Sequence, residues 1–524
     1  MTAHLVQNWT VRKPVARSRG GIVATQNRIA GEAGARILAA GGNAVDAAVA
    51  TGFALAAVEP WNSGLGGVGH MLVYLARENR VEVVDFGPVS PRALDPADYP
   101  LTGGITRDLF AWPTVKDDRN VHGPLSIAVP GHVDGLGLAL EKFGSMKLAE
   151  VMQPAIEFAD QGIAVDWYLT LKVATMAKEL SRYPATRDIW LPHGLPPVTP
   201  IDTPLARLHL TGLADTLRRL ARAGRRDFYE GEISNKIIND INMLGGILAA
   251  EDLKNYRARI VAPLETEYRG ARIALAPGLT AGPSMVRALS ALGASNLRAG
   301  GPHADAFLAY AKVLREAYAE RLQTMGETSD RRDPSSTTHL NVIDRHGNMV
   351  ALTQTLLSVF GSKVVLPSTG ILMNNGIMWF DPRPGQPNSL APNKRPLTNM
   401  CPLIARRHDG RPWFAIGASG GRRIFPAVFQ IASFLIDHGM TLEDAIHHPR
   451  IDASGGDTVG IDPRLPDAIQ KALAEKFPVA QTELVVYPTN FACPSAVFND
   501  HTDGTHYGIA DVMSPWSGAV AEDQ

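Results

Sequence analysis

From Ala30 to Val58 the chain is made of small residues and Leu, Val and Ile with almost no charge, broken once at Gly41-Gly42-Asn43. The pattern predicts two helices joined at a glycine stop, and with no polar face to offer solvent both are interior material. The most apolar run, Ala44 to Val58, is interrupted by Asp46 and falls short of the roughly 18 residues a bilayer span requires, so no membrane helix is expected. At 524 residues the chain is long enough for more than one core. Lys and Arg number 51 against 52 Asp and Glu, so no global field draws the protein to nucleic acid or to an anionic membrane. Any partner has to be met by a local site. Only Cys401 and Cys493 occur, which excludes a disulfide scaffold or a four-cysteine zinc site and predicts two free thiols. The first residues, MTAHLVQNWTVRKPVARSRGG, lack the apolar region of a secretory signal, and a cytoplasmic protein is the expectation.

The glycine segment Asn62 to Gly69 leads into MLVYL and VEVVDF, two strand-like runs that predict a hairpin turning at Glu78-Asn79. Residues 130 to 325 read as mostly helical, with three- and four-residue apolar spacing over 133–143, 149–160, 204–223, 232–243, 284–293 and 303–323. From Gly326 to Ser336 the pattern collapses into a polar stretch with no apolar anchor, expected to be a mobile, accessible loop. Beyond it come HLNVID, a turn at Arg345-His346-Gly347-Asn348 and MVALTQTLL, a second hairpin. A strand at 413–417, a helix from Arg422 to Ile436 and short helices near 442–448 and 465–476 complete the reading.

Three segments carry chemistry. Gly64-Leu-Gly66-Gly-Val-Gly69 fits G-x-G-x-x-G, but a strand rather than a helix follows it, so a structural glycine turn is favoured over a dinucleotide site. Gly417-Ala-Ser419-Gly-Gly421 lies between a strand and a helix, as a nucleophile elbow does, with Asp437, His438, Asp444, His447 and His448 downstream. Ser419 is therefore one candidate nucleophile; on the competing view the N–H groups of Gly420 and Gly421 at the helix start hold an oxyanion. The third segment is Ser336-Thr337-Thr338-His339. A threonine hydroxyl needs an adjacent base, and a chain break just before it would supply one as the new α-amine. From composition alone, a plain strand start with β-branched residues is the favoured reading of this segment.

The set GGNAVDAAVA (41–50), NSGLGGVGHMLVY (62–74), VPGHVDGLGLALEKFG (129–144), TTHLNVIDRHGNMVALTQT (337–355), FGSKVV and TGILMNN (360–375), PNKRPL (392–397) and GASGGRRI (417–424) resembles the γ-glutamyltranspeptidase family of N-terminal-nucleophile hydrolases. The resemblance runs from about residue 20 to HYGIADV. It implies a four-layer αββα sandwich, an α/β fold in which one precursor cuts itself and remains together as two subunits. By position it implies a cut between Ser336 and Thr337, giving a large subunit 1–336 and a small one 337–524. Thr337 would be the nucleophile, Thr355 the threonine that positions it, Gly420 and Gly421 the oxyanion donors, and Ser419 part of that turn. No metal or organic cofactor is implied. The partners implied are a small-molecule amide and a water or amine acceptor, with a dimer of the paired subunits as a further assembly.

At the positions where the family grips a glutamyl group this chain differs. Leu357 replaces an asparagine, Gly376 and Trp379 an amide and an aspartate, and Thr398-Asn399 a serine pair. The arginine expected after Asp85-Phe86 is displaced, with Pro96 near its place. A buried ammonium without a carboxylate partner is costly, so acyl groups lacking an α-ammonium are the expected donors, with Thr398, Asn399, Ser419 and Trp379 as substrate contacts. Arg92 is read either as a partner for a substrate carboxylate or as a surface charge. The short stretch before Thr337 and the absence of a long insertion in 380–392 predict an open site, bulky amides as substrates and hydrolysis over transfer. The alternatives are a glutathione hydrolase and γ-glutamyltransferase proper, a Ser419 hydrolase of another fold, and an unprocessed, non-catalytic binding relative.

Overall fold

The uncharged run at the start of the chain folds as helices Arg28–Ala39 and Ala44–Val58, and all 15 residues of the second are buried. Asp46, the charge that interrupts the run, belongs to the helix start. Its carboxylate accepts from Asn43 N at 2.8 Å while Asn43 Oδ1 accepts from Val45 N and Asp46 N, a reciprocal cap. The same carboxylate receives Ser145 Oγ at 2.6 Å, so the buried charge is fully hydrogen-bonded. The computed structural model describes residues 11–106, 112–298, 300–325, 335–481, 491–512 and 514–523, with backbone alone at 322–325 and 335–336.

Two seven-stranded antiparallel sheets form the centre. The first runs in the order Ala16–Ser18, Thr505–Ala510, Cys493–Asp500, Pro412–Ser419, Leu403–Arg406, Ala271–Leu275 and Leu264–Tyr268. The second runs Gly518–Ala521, Ile22–Thr25, Ser335–Ile343, Met349–Ser358, Val68–Leu75, Arg80–Phe86 and Arg259–Val261. The two-residue side-chain period sorts each strand between two layers. Ile343, Met349, Ala351, Ala415 and Val497 meet between the sheets, whereas Leu340, Val342, Val350 and Leu352 face the two buried helices and Leu148–Gln161. On the other side Phe414, Ile416 and Ala418 pack under the helices Gly282–Gly293, Ala304–Met325 and Ile424–Ile436. The architecture is thus four layers, helix, sheet, sheet, helix.

Both expected hairpins form, Val68–Leu75 with Arg80–Phe86 and Ser335–Ile343 with Met349–Ser358. Two expectations for residues 130 to 325 need correction. The helix read over 204–223 covers only Leu213–Ala223, because Gly212 sits at φ +83° and Arg207–Leu208 pairs with Ile163–Ala164 instead. The helical reading also hid Arg259–Val261 and Leu264–Tyr268, edge strands of the two sheets, and Ala271–Leu275, which pairs between Leu264–Tyr268 and Leu403–Arg406. Their few alternating residues were outweighed by the helical periodicity on either side. The stretch 326–334 lies outside the described residues. Cys401 and Cys493 are free thiols, and no helix among the described residues is long and apolar enough to cross a membrane.

A polar network crosses the layer between the sheets. His339 Nδ1 meets Thr353 Oγ1 at 2.8 Å, its Nε2 meets Asn341 Oδ1 at 3.1 Å, and Asn341 Nδ2 donates to Ser495 O at 2.8 Å. The ring is admitted by Gly417, where a Cβ would lie 2.2 Å from His339 Cε1. Burial lowers the His339 imidazole from 6.5 to about 3, against a smaller opposing effect of the Asn341 hydrogen bond. The unfolded chain therefore binds the proton more readily, and stability from this residue is lost as pH falls from 6.5 towards 3. We expect the melting temperature to drop across that window, and the drop to be shallower in His339→Gln; equal slopes in thermal melts would contradict this account.

Candidate active site

Thr337 lies near the start of the strand Ser335–Ile343, which pairs with Met349–Ser358. Ser336 pairs with Leu357 and Thr338 with Gln354, so the register shifts across Thr337. Such a bulge re-aims a side chain. The Thr337 hydroxyl donates to Thr355 Oγ1 at 3.3 Å, and Thr355 Oγ1 also accepts from Leu357 N at 2.7 Å. Leu357 reaches this position at φ +85°, a conformation that costs a non-glycine residue about 1–3 kcal/mol and persists where its surroundings demand it.

Opposite Thr337 the strand Pro412–Ser419 of the other sheet ends in the two glycines. Gly420 has φ +140° and Gly421 φ +57°, and a Cβ at Gly420 would lie 2.8 Å from Ala492 Cα. Only glycine fits this turn. The chain then enters the helix Ile424–Ile436 through a single tight turn at Gly421–Arg423. Among the described residues neither glycine N–H has a hydrogen-bond acceptor. Two free donors at the positive end of a helix are suited to a developing oxyanion.

Thr337 and Gly421 line one cavity with Leu357, Trp379, Asn399, Met400 and Ile424. Its volume is about 10 Å³, room for one water, and Thr337 is only 6% exposed. This corrects the expectation of an open site. Trp379, Met400 and Leu357 close over the hydroxyl, and the backbone just before Thr337 is still paired to the neighbouring strand.

Asn399 is the one side-chain amide in the wall. Its Oδ1 faces the Arg321 guanidinium at 3.5 Å, and its Nδ2 is buried without a hydrogen-bond partner among the described residues. Arg321 also donates to Thr280 O at 2.7 Å and Thr398 O at 2.5 Å. Burial lowers its pKa below the ordinary value, against the nearby Tyr318 and Cys401. Thr398 lies beside the cavity, but its hydroxyl is committed to Leu279 O at 3.1 Å. The preceding Arg395 ties this loop to Gly87 O at 3.0 Å and to Asp85 at 3.4 Å.

The remaining named residues lie elsewhere. Ser419 faces the opposite sheet, where Gln26 donates to its hydroxyl. None of the acids and histidines downstream reaches it. Asp437 accepts from Tyr268 at 2.7 Å and Ser433 at 2.5 Å, His438 meets Tyr310, the Asp444 carboxylate accepts from the hydroxyl of the capping Thr441 at 2.7 Å, and His447 and His448 meet Glu443 O and Pro449 O. A nucleophile elbow without a base is not assembled. Arg92 is half-exposed, 3.5 Å from buried Asp252, and does not line the cavity. Gly67, in the glycine segment, is a structural turn whose carbonyl accepts from Gly131 N and His132 N, both at 2.9 Å. Among the described residues no three His, Cys, Asp or Glu side chains converge as a metal site. Met400, Ile424 and Arg321 went unread in the sequence. The first two directly follow Asn399 and GASGGRR, a signal that was there to use; Arg321 shows only as one more basic residue of a helix.

Residues 30–332 and 322–520 match the γ-glutamyltranspeptidase family. The chain is 32% identical over 535 residues to the acylase ACY 1 proenzyme of Pseudomonas sp. (strain SE83), covering 95% of this chain and 93% of that one. It is 32% identical over 487 residues to the glutathione hydrolase proenzyme of Escherichia coli (strain K12), covering 83% and 81% respectively. The solved cephalosporin acylase from Bacillus halodurans shares the fold, with a TM-score of 0.85 over 99% of both chains at 24% identity. A match that spans the chain, together with relatives of this identity over most of their length, shows that the protein belongs to the γ-glutamyltranspeptidase family of amide hydrolases and acyltransferases.

Proposed function

We propose that the protein is a self-processing N-terminal-threonine amidohydrolase. The observation that carries this reading is the meeting of the Thr337 hydroxyl, held by Thr355, with the Gly420–Gly421 turn across one cavity. The Thr337 hydroxyl attacks the carbonyl carbon of Ser336, the C–N bond breaks with a proton passing to nitrogen, and water hydrolyses the ester so formed. The products are chains 1–336 and 337–524, which stay together because strands from both are hydrogen-bonded to one another within each sheet. Release of the segment ending at Ser336 frees the space the substrate needs.

In the cut enzyme the new α-amine, with an ordinary pKa near 8, takes the hydroxyl proton as Thr337 attacks a substrate amide. The two glycine N–H groups hold the oxyanion, and the amine returns the proton to the leaving nitrogen. Water then releases the acid. Water is favoured over an amine acceptor because, among the described residues, none lining the cavity carries a charge that would hold one.

The walls also bear on the acyl group. Leu357, Trp379, Met400 and Ile424 are largely apolar, and among the described residues no acidic side chain lines the cavity, while Asn399 Nδ2 is a buried donor without a partner. An α-ammonium would be stranded there without a counter-ion. The reading favours amides whose acyl chain is apolar near the carbonyl and presents an acceptor to Asn399.

Denaturing gels of Thr337→Ala are expected to show full-length chain alone, with no turnover; Thr337→Ser should be cut and active. Ser419→Ala should keep most of its activity, whereas Gly420→Ala should lower kcat by about 100-fold, the scale of a lost oxyanion donor. In single-turnover mass spectrometry across an amide panel, acyl groups without an α-ammonium should label the Thr337 peptide at least as fast as glutamyl. A strict requirement for the ammonium would refute the pocket reading.

A further inference from the structure

On the side of the strand away from the cavity stands a carboxyl group that the chemistry above does not use. Glu59 follows the buried helix Ala44–Val58 as its C-cap and is 2% exposed. Its Oε2 accepts from the hydroxyl of Thr338 at 2.8 Å, and Thr338 is completely buried. Thr338 is the residue at which the ladder regains register, opposite Gln354, after the shift at Thr337. Successive side chains of a strand point to opposite faces, so Thr338 faces the helices while Thr337 faces the other sheet.

The polar groups facing Glu59 come from three elements: Thr338 of the strand, Asn62 of the loop that follows, and Lys172 of the helix Trp167–Leu180. Beyond Lys172 lies the Cys493 thiol, itself in the field of Asp511 and Arg450, with Lys13 further out. Burial raises the Glu59 carboxyl to about 7 against the pull of Thr338, Lys172 and Asn62, and burial lowers the Lys172 ammonium to about 8. A carboxyl raised in the folded state weakens the fold as pH rises through that range. An apolar residue of similar size would avoid this cost.

We propose that Glu59 is a positioning residue for the nucleophile: its carboxylate grips the Thr338 hydroxyl from the helix side, pins the strand one residue past the bulge, and thereby sets where Thr337 stands against the Gly420–Gly421 turn. The proposal rests on the reading of Thr337 as nucleophile. An ionised acceptor holds a hydroxyl more strongly than a neutral one, so protonation of Glu59 loosens the grip. Displacements at a reacting group on the ångström scale cost rate steeply.

The test follows self-cleavage of the full-length chain made by cell-free translation, because before the cut no Thr337 amine exists to titrate. Wild-type cleavage is expected to slow as pH falls through about 7. Glu59→Gln, which keeps the acceptor but not the charge, should cleave slowly and without that pH dependence. Thr338→Val should slow cleavage, and kcat of the mature enzyme, by about 10- to 100-fold with KM nearly unchanged, and Thr338→Ser should restore both. Wild-type rates in Thr338→Val, or an unaltered pH profile in Glu59→Gln, would overturn the proposal. Should thermal melts show Thr338→Val unfolded, Thr338→Ser and the Glu59→Gln profile decide. An active Thr337→Ala would sink the underlying reading, whereas an inactive Thr337→Ala beside an unaffected Thr338→Val sinks this proposal alone.

Discussion

Where the strand Pro412–Ser419 crosses Ser335–Ile343 there is no room for a side chain. A Cβ on Gly417 would collide with the His339 ring, and one on Gly420 would collide with Ala492. Because position 417 is glycine, its strand approaches the His339 ring of the other sheet closely, while the glycine at 420 makes room for Ala492 beside the neighbouring strand of its own sheet. Two things follow from that approach. His339 enters the inter-sheet layer and is satisfied there by Thr353 and Asn341, and Gly421 comes to share a cavity wall with Thr337. The interior polar network and the candidate site thus lie along the same pair of facing strands.

The same region holds costs that a fold selected for stability alone would shed. Leu357 is left-handed, Arg321 is buried with no carboxylate partner among the described residues, and Asn399 Nδ2 has no hydrogen-bond partner. Each unfavourable feature lies in the wall around Thr337 or directly behind it. Strain and unsatisfied donors of this kind concentrate where a site is organised in advance of its ligand. The closed cavity fits a chain that is continuous at Ser336–Thr337, with the residues before the threonine still paired into the sheet.

Local pattern made much of the molecule legible. The uncharged run announced two interior helices, period-two alternation marked both hairpins, and the strand–turn–helix context of GASGG placed a glycine turn at a helix start. The pattern misled where neighbours outvoted it. The short strands between 259 and 275 were lost among helices, and Ser419 looked like an elbow because its alternative, a hydroxyl facing Gln26 across the inter-sheet layer, involves a residue far away in the chain. The lack of a long insertion in 380–392 suggested an open site, whereas Trp379 and Met400, packed with Val68, Trp112 and Leu357 from other segments, close it.

Residue identity and spacing by themselves determined that a threonine stands at a strand start after a polar break and that two glycines follow another strand before a helix. These are properties of contiguous segments, and local periodicity and turn chemistry report them directly. That Thr337 is aimed by a bulge, that its hydroxyl meets Thr355 and Gly421, and that Glu59 reaches the same strand from behind were decided only by tertiary packing. Each joins segments distant in the chain, and a shift of register by one residue would turn every one of these side chains to the opposite face.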